Sequence, residues 1–447
     1  MKYLRLLILT LLIHPGLAQQ STPRTRGTSS RQQEAQLLAD NVFHLSEVML
    51  HDVANPPAAA RFYAYALLGA YEAILPFSSG IPNINSRLHT SFSVTPEKAL
   101  PEFDRTFCAL YTMLDVGLQL MPSGTMLEEH QRTLTEYFRK KKKLSLQQLA
   151  VQVQYAQSVA KQVVQYARTD DYNKLSTYTR YKPTKEEGHW YPTPPEYMAA
   201  VEPEWRTVRT FFLDSASQFA PKPRAPYSRD TTSAFFHLMK EVYTTTKHLT
   251  PEQKAIANFW DCNPFAVTYS GHMAMGLKKI SPGGHWMGIT GIACRKAALP
   301  IDSAILIHAT VAMTLHDAFV SCWHEKYTSN RIRPEGAINK LIDPAWRPLL
   351  QTPPFPEYSS GHSVVSASSA QVLTYFLGNV FGFTDTSEVY FRLPSRNFTS
   401  FEAAAEEAAI SRLYGGIHYR DACEQGLMQG KAVAQHALHR LFDYLTN

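Results

Sequence analysis

Lys326-Tyr-Thr-Ser-Asn-Arg-Ile-Arg333-Pro334, Ser359-Ser360-Gly361-His362 and Ser411-Arg412-Leu-Tyr-Gly-Gly-Ile-His418-Tyr-Arg-Asp421 all lie in the last third of the chain. Together they bring three cations, a Ser-Gly pair and two imidazoles. Lys326 supplies a compact ammonium, while Arg333 and Arg412 supply planar forks that can each hold two oxygens. Ser360-Gly361-His362 reads as a helix start, where backbone N–H groups and the helix dipole favour an anion. The inventory suits a tetrahedral or trigonal oxyanion. Any one stretch alone is as well explained by a solvated charge or a packed histidine; the combination is what points to chemistry.

Spacing adds geometry. Arg412 and His418 are six residues apart and on one continuous helix would face directions about 120° apart. Gly415-Gly416 between them breaks such a helix. Arg412 then ends one helix and His418 starts the next, and the two side chains can converge. Arg333 precedes Pro334 and is biased to an extended backbone, suited to wrapping a ligand.

Lys-x6-Arg-Pro, Ser-Gly-His and Ser-Arg-x5-His, in this order, resemble the superfamily of vanadium-dependent haloperoxidases, type-2 phosphatidic-acid phosphatases and bacterial acid phosphatases. Pro354-Phe355-Pro356-Glu357-Tyr358 and Trp323, three residues before Lys326, resemble the haloperoxidase branch. Asn258-Phe-Trp-Asp261 and Tyr191-Pro-Thr-Pro-Pro-Glu-Tyr extend the likeness upstream. The resemblance implies an all-α fold of two packed four-helix bundles and a vanadate cofactor, in a site that phosphate can also occupy. It implies that His418 bonds vanadium, or attacks phosphorus in a phosphatase. Lys326, Arg333, Ser360, Gly361 and Arg412 would hold the oxygens, with Lys326 also polarising bound peroxide. His362 would be the acid–base, its ordinary pKa lying near working pH. Asp261 would pair with Arg412, Phe355 would occupy a position that influences halide choice, and Trp323 would stand around the site. His285, His308, His316 and His324 match no role and read as structural.

Two residues depart from the pattern. Ser359 replaces a proline, which loosens the loop and removes no ligand. Asp421 falls three residues after His418 where the pattern has an acid four after, so its role stays open. The activity implied is oxidation of halide by hydrogen peroxide to hypohalous acid, which then meets a small organic acceptor. The alternative is an acid phosphatase acting on a phosphate monoester through His418. A third reading, a non-catalytic oxyanion binder, has no need of two histidines.

The rest of the chain frames this site. At 447 residues and 45% hydrophobic it can bury a large core, and its net charge of +6 suits an anionic ligand without the concentrated basic face of a nucleic-acid binder. Arg139 to Lys143 is basic, but at a helix C-terminus it reads as a solvated end. Residues 1–18 read as a signal peptide: Lys2 and Arg5, an apolar run from Leu6 to Ile13, then Gly16-Leu17-Ala18. The mature protein is expected to be exported, periplasmic or secreted, with no membrane span after residue 18; oligomeric state stays open. Residues 19–33 read as a flexible tether, and residues 34–447 as one helical domain with its site within 323–421. Ala35, Leu38, Val42, Leu45 and Val48 recur at helical spacing, and no stretch alternates like a strand. A proline- and aromatic-rich loop, Thr169 to about Ser228, separates the two helical halves and is expected to pack on the body and wall the site entrance. Five widely spaced cysteines read as buried apolar groups, with no disulfide framework and no Cys-x-x-Cys zinc motif. Intact-mass analysis of exported protein is expected to show a chain beginning near Gln19; retention of Met1 would contradict the leader.

Overall fold

The computed structural model describes residues 24–95, 103–264, 266–270, 273–276 and 279–443. The expected signal peptide lies outside them. Thirteen α-helices occur among the described residues: α1 (Arg24–His51), α2 (Pro56–Ile74), α3 (Arg105–Leu120), α4 (Leu127–Lys141), α5 (Leu146–Ala167), α6 (Ala234–Lys247), α7 (Pro251–Phe259), α8 (Pro282–Lys296), α9 (Ile301–Ser329), α10 (Pro334–Leu341), α11 (Gly361–Leu377), α12 (Phe401–Tyr414) and α13 (Arg420–Phe442). Their starts follow local chemistry. Asn55 caps α2 ahead of Pro56, and Thr250 with Gln253 forms a capping box on α7.

Two readings need correction. The stretch expected to be a tether is, from Arg24, the first turns of α1, exposed from Thr28 to Gln33. A polar run without an apolar stripe still extends a helix that is anchored further along. Strands also occur, as two short antiparallel pairs: β1 (Val267–Ser270) with β2 (Met273–Gly276), and β3 (Phe383–Asp385) with β4 (Arg396–Phe398). Strands of three or four residues are too short to show alternation.

α2 is buried on every side and packs on α3, α5 and α9; α11 packs on α9, α12 and α13. α9 therefore belongs to both helical bundles. It is the one helix among the described residues long and apolar enough to cross a membrane, and that window is wholly buried in the protein. α13 reaches α11 so closely that a Cβ on Gly430 would sit 2.0 Å from the Val364 carbonyl oxygen, and one on Gly426 3.0 Å from that of Ser360. These two glycines seat the first turn of α11. Gly416, at φ +75°, takes the left-handed turn that separates α12 from α13.

The proline-rich loop is ordered against α9. Asp317, fully buried on that helix, accepts the backbone N–H groups of Phe211, Phe212 and Leu213 at 2.7, 2.7 and 3.0 Å. His316 donates to the Arg209 carbonyl at 2.9 Å, and Trp323 and Tyr327 both donate to that of Val201. Of the four histidines without a motif role, His285, His308 and His316 are buried and hydrogen-bonded and His324 is half-buried; burial drives His308 and His316 down to about 4. All five cysteines are buried and unpaired. Asp317→Ala leaves three buried donors without an acceptor and is expected to cost about 2–4 kcal/mol. Urea unfolding measures that loss, and limited proteolysis should then cut first between residues 205 and 215.

Candidate active site

The three motifs meet where α9 ends, α11 begins and α12 turns into α13. Arg333 is extended (φ −74°, ψ 154°) at the start of α10, as the following proline dictates. Arg412 sits in the last turn of α12, and His418 lies in the turn before α13, which starts at Arg420, two residues later than expected. Lys326, Arg331, Arg333 and Arg412 are each at most 1% exposed. Burying four cations is costly unless something neutralises them.

Part of the neutralisation is in place. Lys326 Nζ donates to the carbonyls of Pro356, Glu357 and Ser359 at 3.2, 3.1 and 2.5 Å, which engages all three of its protons. Arg412 donates to Trp260 O at 2.7 Å, Ala257 O at 3.3 Å and Ser411 Oγ at 2.9 Å. Arg333 donates to Phe355 O at 2.9 Å and Ile417 O at 2.8 Å, and its Nη1 stands 3.1 Å from His418 Nε2. Burial lowers Lys326 to about 8 and Arg333 to about 10.

Other polar groups have no protein partner. Arg333 Nη2, a donor, and His362 Nε2, an acceptor while the ring is neutral and its other nitrogen donates to the Trp260 carbonyl, are buried and unpaired, and the amides of Gly361 and His362 open α11 without intrahelical acceptors. Ser360 Oγ caps α11 by accepting the Ser363 N–H at 3.4 Å, leaving its O–H to donate. His362, Arg412, Gly361 and His418 line a pocket of about 500 Å³, mouth included, whose other walls include Phe319, Trp323, Phe355 and Gln351. Lys326, Arg333 and Ser360 stand behind this lining, with Arg333 Nη1 against His418, so that Arg412, two imidazoles and the start of α11 face the pocket over a layer of further buried cations, which fits an oxyanion such as vanadate.

The chain resembles proteins built for that anion. The family model described as the VCPO second helical-bundle domain matches residues 306–447. The crystal structure of the first bacterial vanadium-dependent iodoperoxidase is 37% identical, over 92% of this chain and 96% of that one, with a TM-score of 0.85. This chain belongs to the vanadium-dependent haloperoxidase family. Holo and apo forms of a bacterial vanadium-dependent chloroperoxidase share the fold at 14% identity, with TM-scores of 0.64 and 0.62 and coverage of 87% and 86% of this chain and 92% and 94% of theirs. A search of curated protein sequences finds no match.

Within this haloperoxidase frame several expectations change. Asp261 pairs with Lys279 and makes no hydrogen bond to Arg412; it faces Arg412 only as a nearby charge. Backbone carbonyls at the end of α7 hold Arg412 instead. The proline-rich loop contributes no wall to this pocket and braces α9 from behind. Ser359 does not loosen its loop: it is fully buried, and its hydroxyl donates to Gln429 at 2.6 Å. His362 is not poised near neutrality, because burial, then Arg412 and His418, push it well below the usual imidazole range. It is a neutral ring until an anion offsets those cations. Phe355 and Trp323 stand as a tilted pair 5.0 Å apart, and Phe355 also lies over Lys326 and Arg333 at 5.2 and 5.0 Å.

The residue missed is Glu357, inside the Pro-Phe-Pro-Glu-Tyr phrase. Its Oε1 meets His418 Nδ1 at 2.8 Å and its Oε2 meets Arg331 at 2.5 Å. Asp421 holds the far side of Arg331 through two bonds of 2.7 and 2.8 Å. Nothing in local spacing announces a pair 61 residues apart.

Lys326 attracts an anion only while protonated. Its pKa of about 8 means that the charge is present below that pH and lost above it. Phosphate affinity is therefore expected to fall as pH rises through about 8, and Lys326→Met should remove that step. Calorimetric titration across pH 7 to 10.5, spanning Lys326's folded and ordinary values, checks both.

Proposed function

We propose that this chain is a vanadate-dependent haloperoxidase that oxidises halide with hydrogen peroxide, with His418, His362 and the buried cations in the roles the motifs assign. The observation carrying the reading is the His418 ring. It lines the pocket among four buried cations, with Nε2 3.1 Å from Arg333 Nη1, in a chain 37% identical to a vanadium-dependent iodoperoxidase.

Vanadate, when bound, supplies Lewis acidity towards peroxide without changing its own oxidation state. The chain's residues do the rest. His418 Nε2, whose lone pair accepts from Arg333 Nη1 at 3.1 Å, is the nitrogen that would serve as the metal's ligand in place of that bond. Arg333, Arg412 and Lys326 offset the charge of the oxygens, in a buried site where such pairing is strong. His362 Nε2, unpaired beside the pocket, is placed to take and return a proton on an adjacent oxygen. Phe319, Trp323 and Phe355 present an apolar wall to the halide. Iodide, the halide with the smallest hydration to lose, suits such a wall best, and the iodoperoxidase relative supports naming it first. Hypohalous acid released there would meet a small organic acceptor in solution. Export of the mature chain is part of the same proposal, supported by the basic and apolar leader.

The test is a peroxide assay with iodide, bromide and chloride, with and without added vanadate, beside an assay with a phosphate monoester. Vanadate-dependent turnover, fastest with iodide, is expected. His418→Ala should lose most vanadate affinity, while His362→Ala should retain it and turn over about 10²–10⁴-fold more slowly. Activity restored by Mg²⁺ or Zn²⁺ and not by vanadate would overturn the assignment. So would phosphate-ester hydrolysis in the absence of halide turnover.

A further inference from the structure

We infer that Glu357 is a positioning residue that fixes His418 in the tautomer able to bond vanadium. The inference rests on the proposed role of His418 as the vanadium ligand.

Two independent contacts define the tautomer. On one side, His418 Nε2 faces Arg333 Nη1 at 3.1 Å. A guanidinium nitrogen only donates, so Nε2 must accept and carries no proton. On the other side, Nδ1 lies 2.8 Å from Glu357 Oε1, and that same oxygen also accepts the backbone N–H of Tyr419 at 3.0 Å. A carboxylate oxygen already accepting from an amide leaves Nδ1 as the donor. The proton belongs on Nδ1 and the lone pair on Nε2.

Glu357 is in turn unable to rotate. It is fully buried, and its other oxygen is held by Arg331 at 2.5 Å. Arg331 is clamped by both oxygens of Asp421 and lies between the Tyr358 and Tyr419 rings, 4.6 and 4.9 Å from their centres. Asp421, the acid whose role the sequence left open, thus acts on the site through two intermediaries. A carboxylate on the distal nitrogen of a metal-bound imidazole also raises the basicity of the coordinating nitrogen. Among the described residues Glu357 is the only carboxylate that touches the ring of His418.

Glu357→Gln keeps the volume and removes the logic. The amide has one oxygen where the carboxylate had two. If that oxygen serves His418 and Tyr419, the amide N–H₂ faces the Arg331 donors; if it serves Arg331, the N–H₂ faces Nδ1 and drives the proton to Nε2. Vanadate affinity of the metal-free full chain is expected to fall about 10–100-fold, the usual effect of losing such a partner. Phosphate, which the cage holds without a bond from nitrogen, should bind within a few-fold of wild type. Selective ¹⁵N labelling of histidine, with His418→Ala to assign the signal, should show Nδ1–H in wild type and a loss of that population in Glu357→Gln. Asp421→Asn should show the same selectivity to a smaller degree.

Equal vanadate affinity in Glu357→Gln and wild type would overturn the proposal. So would a parallel loss of both anions, which marks a collapsed site, or a wild-type His418 protonated at Nε2. A wild type that binds phosphate but not vanadate would refute the vanadate reading itself, and the positioning role with it.

Discussion

Four buried cations gathered around one histidine are the constraint on which this structure turns. Lys326, Arg331, Arg333 and Arg412 are removed from water, and one fully buried carboxylate, Glu357, stands among them. Desolvation of that many charges is tolerable because backbone carbonyls accept the protons of Lys326, Arg333 and Arg412, while Glu357 and Asp421 pair with Arg331. The carbonyls satisfy hydrogen bonds and leave net charge. What remains is a positive, buried space with an unpaired donor on Arg333 and an unpaired imidazole nitrogen on His362. An oxyanion completes it.

The fold serves that constraint. α9 carries Lys326 at its C-terminal turn and is shared by both helical bundles, so the ammonium stands on a helix packed from both sides. Gly426 and Gly430 bring α13 close enough to seat the first turn of α11, which fixes Ser360, Gly361 and His362. Asp317 anchors the proline-rich loop on α9, opposite the role foreseen for that loop at the pocket entrance. A catalytic constellation assembled from four elements keeps its geometry only if each is packed against something rigid, and here each is.

The sequence reveals residue types and local turns better than it reveals partners. The helix starts at Asn55-Pro56 and Thr250-Pro251 were legible because capping and proline act over three or four residues. The convergence of Arg412 and His418 followed from Gly415-Gly416, and the extended Arg333 followed from Pro334. The tertiary partners did not follow. Asp261 lies near Arg412 yet is taken by Lys279, a choice that depends on where residues 279–281 return to the body. Glu357 was quoted only as part of a family phrase, because its link to His418 spans two helices and a turn. The depressed pKa of His362 also needed burial and two neighbouring cations, none of which sequence spacing contains.

The most direct measurement is a crystal structure of the protein with vanadate. The account predicts the anion in the pocket between α9, α11 and the α12–α13 turn, bonded to vanadium through His418 Nε2. Arg333 Nη2 and the first amides of α11 should then be within hydrogen-bond reach of its oxygens, with Glu357 still on Nδ1. Vanadate seated elsewhere, or held in that pocket by hydrogen bonds alone with His418 Nε2 turned away, would contradict it.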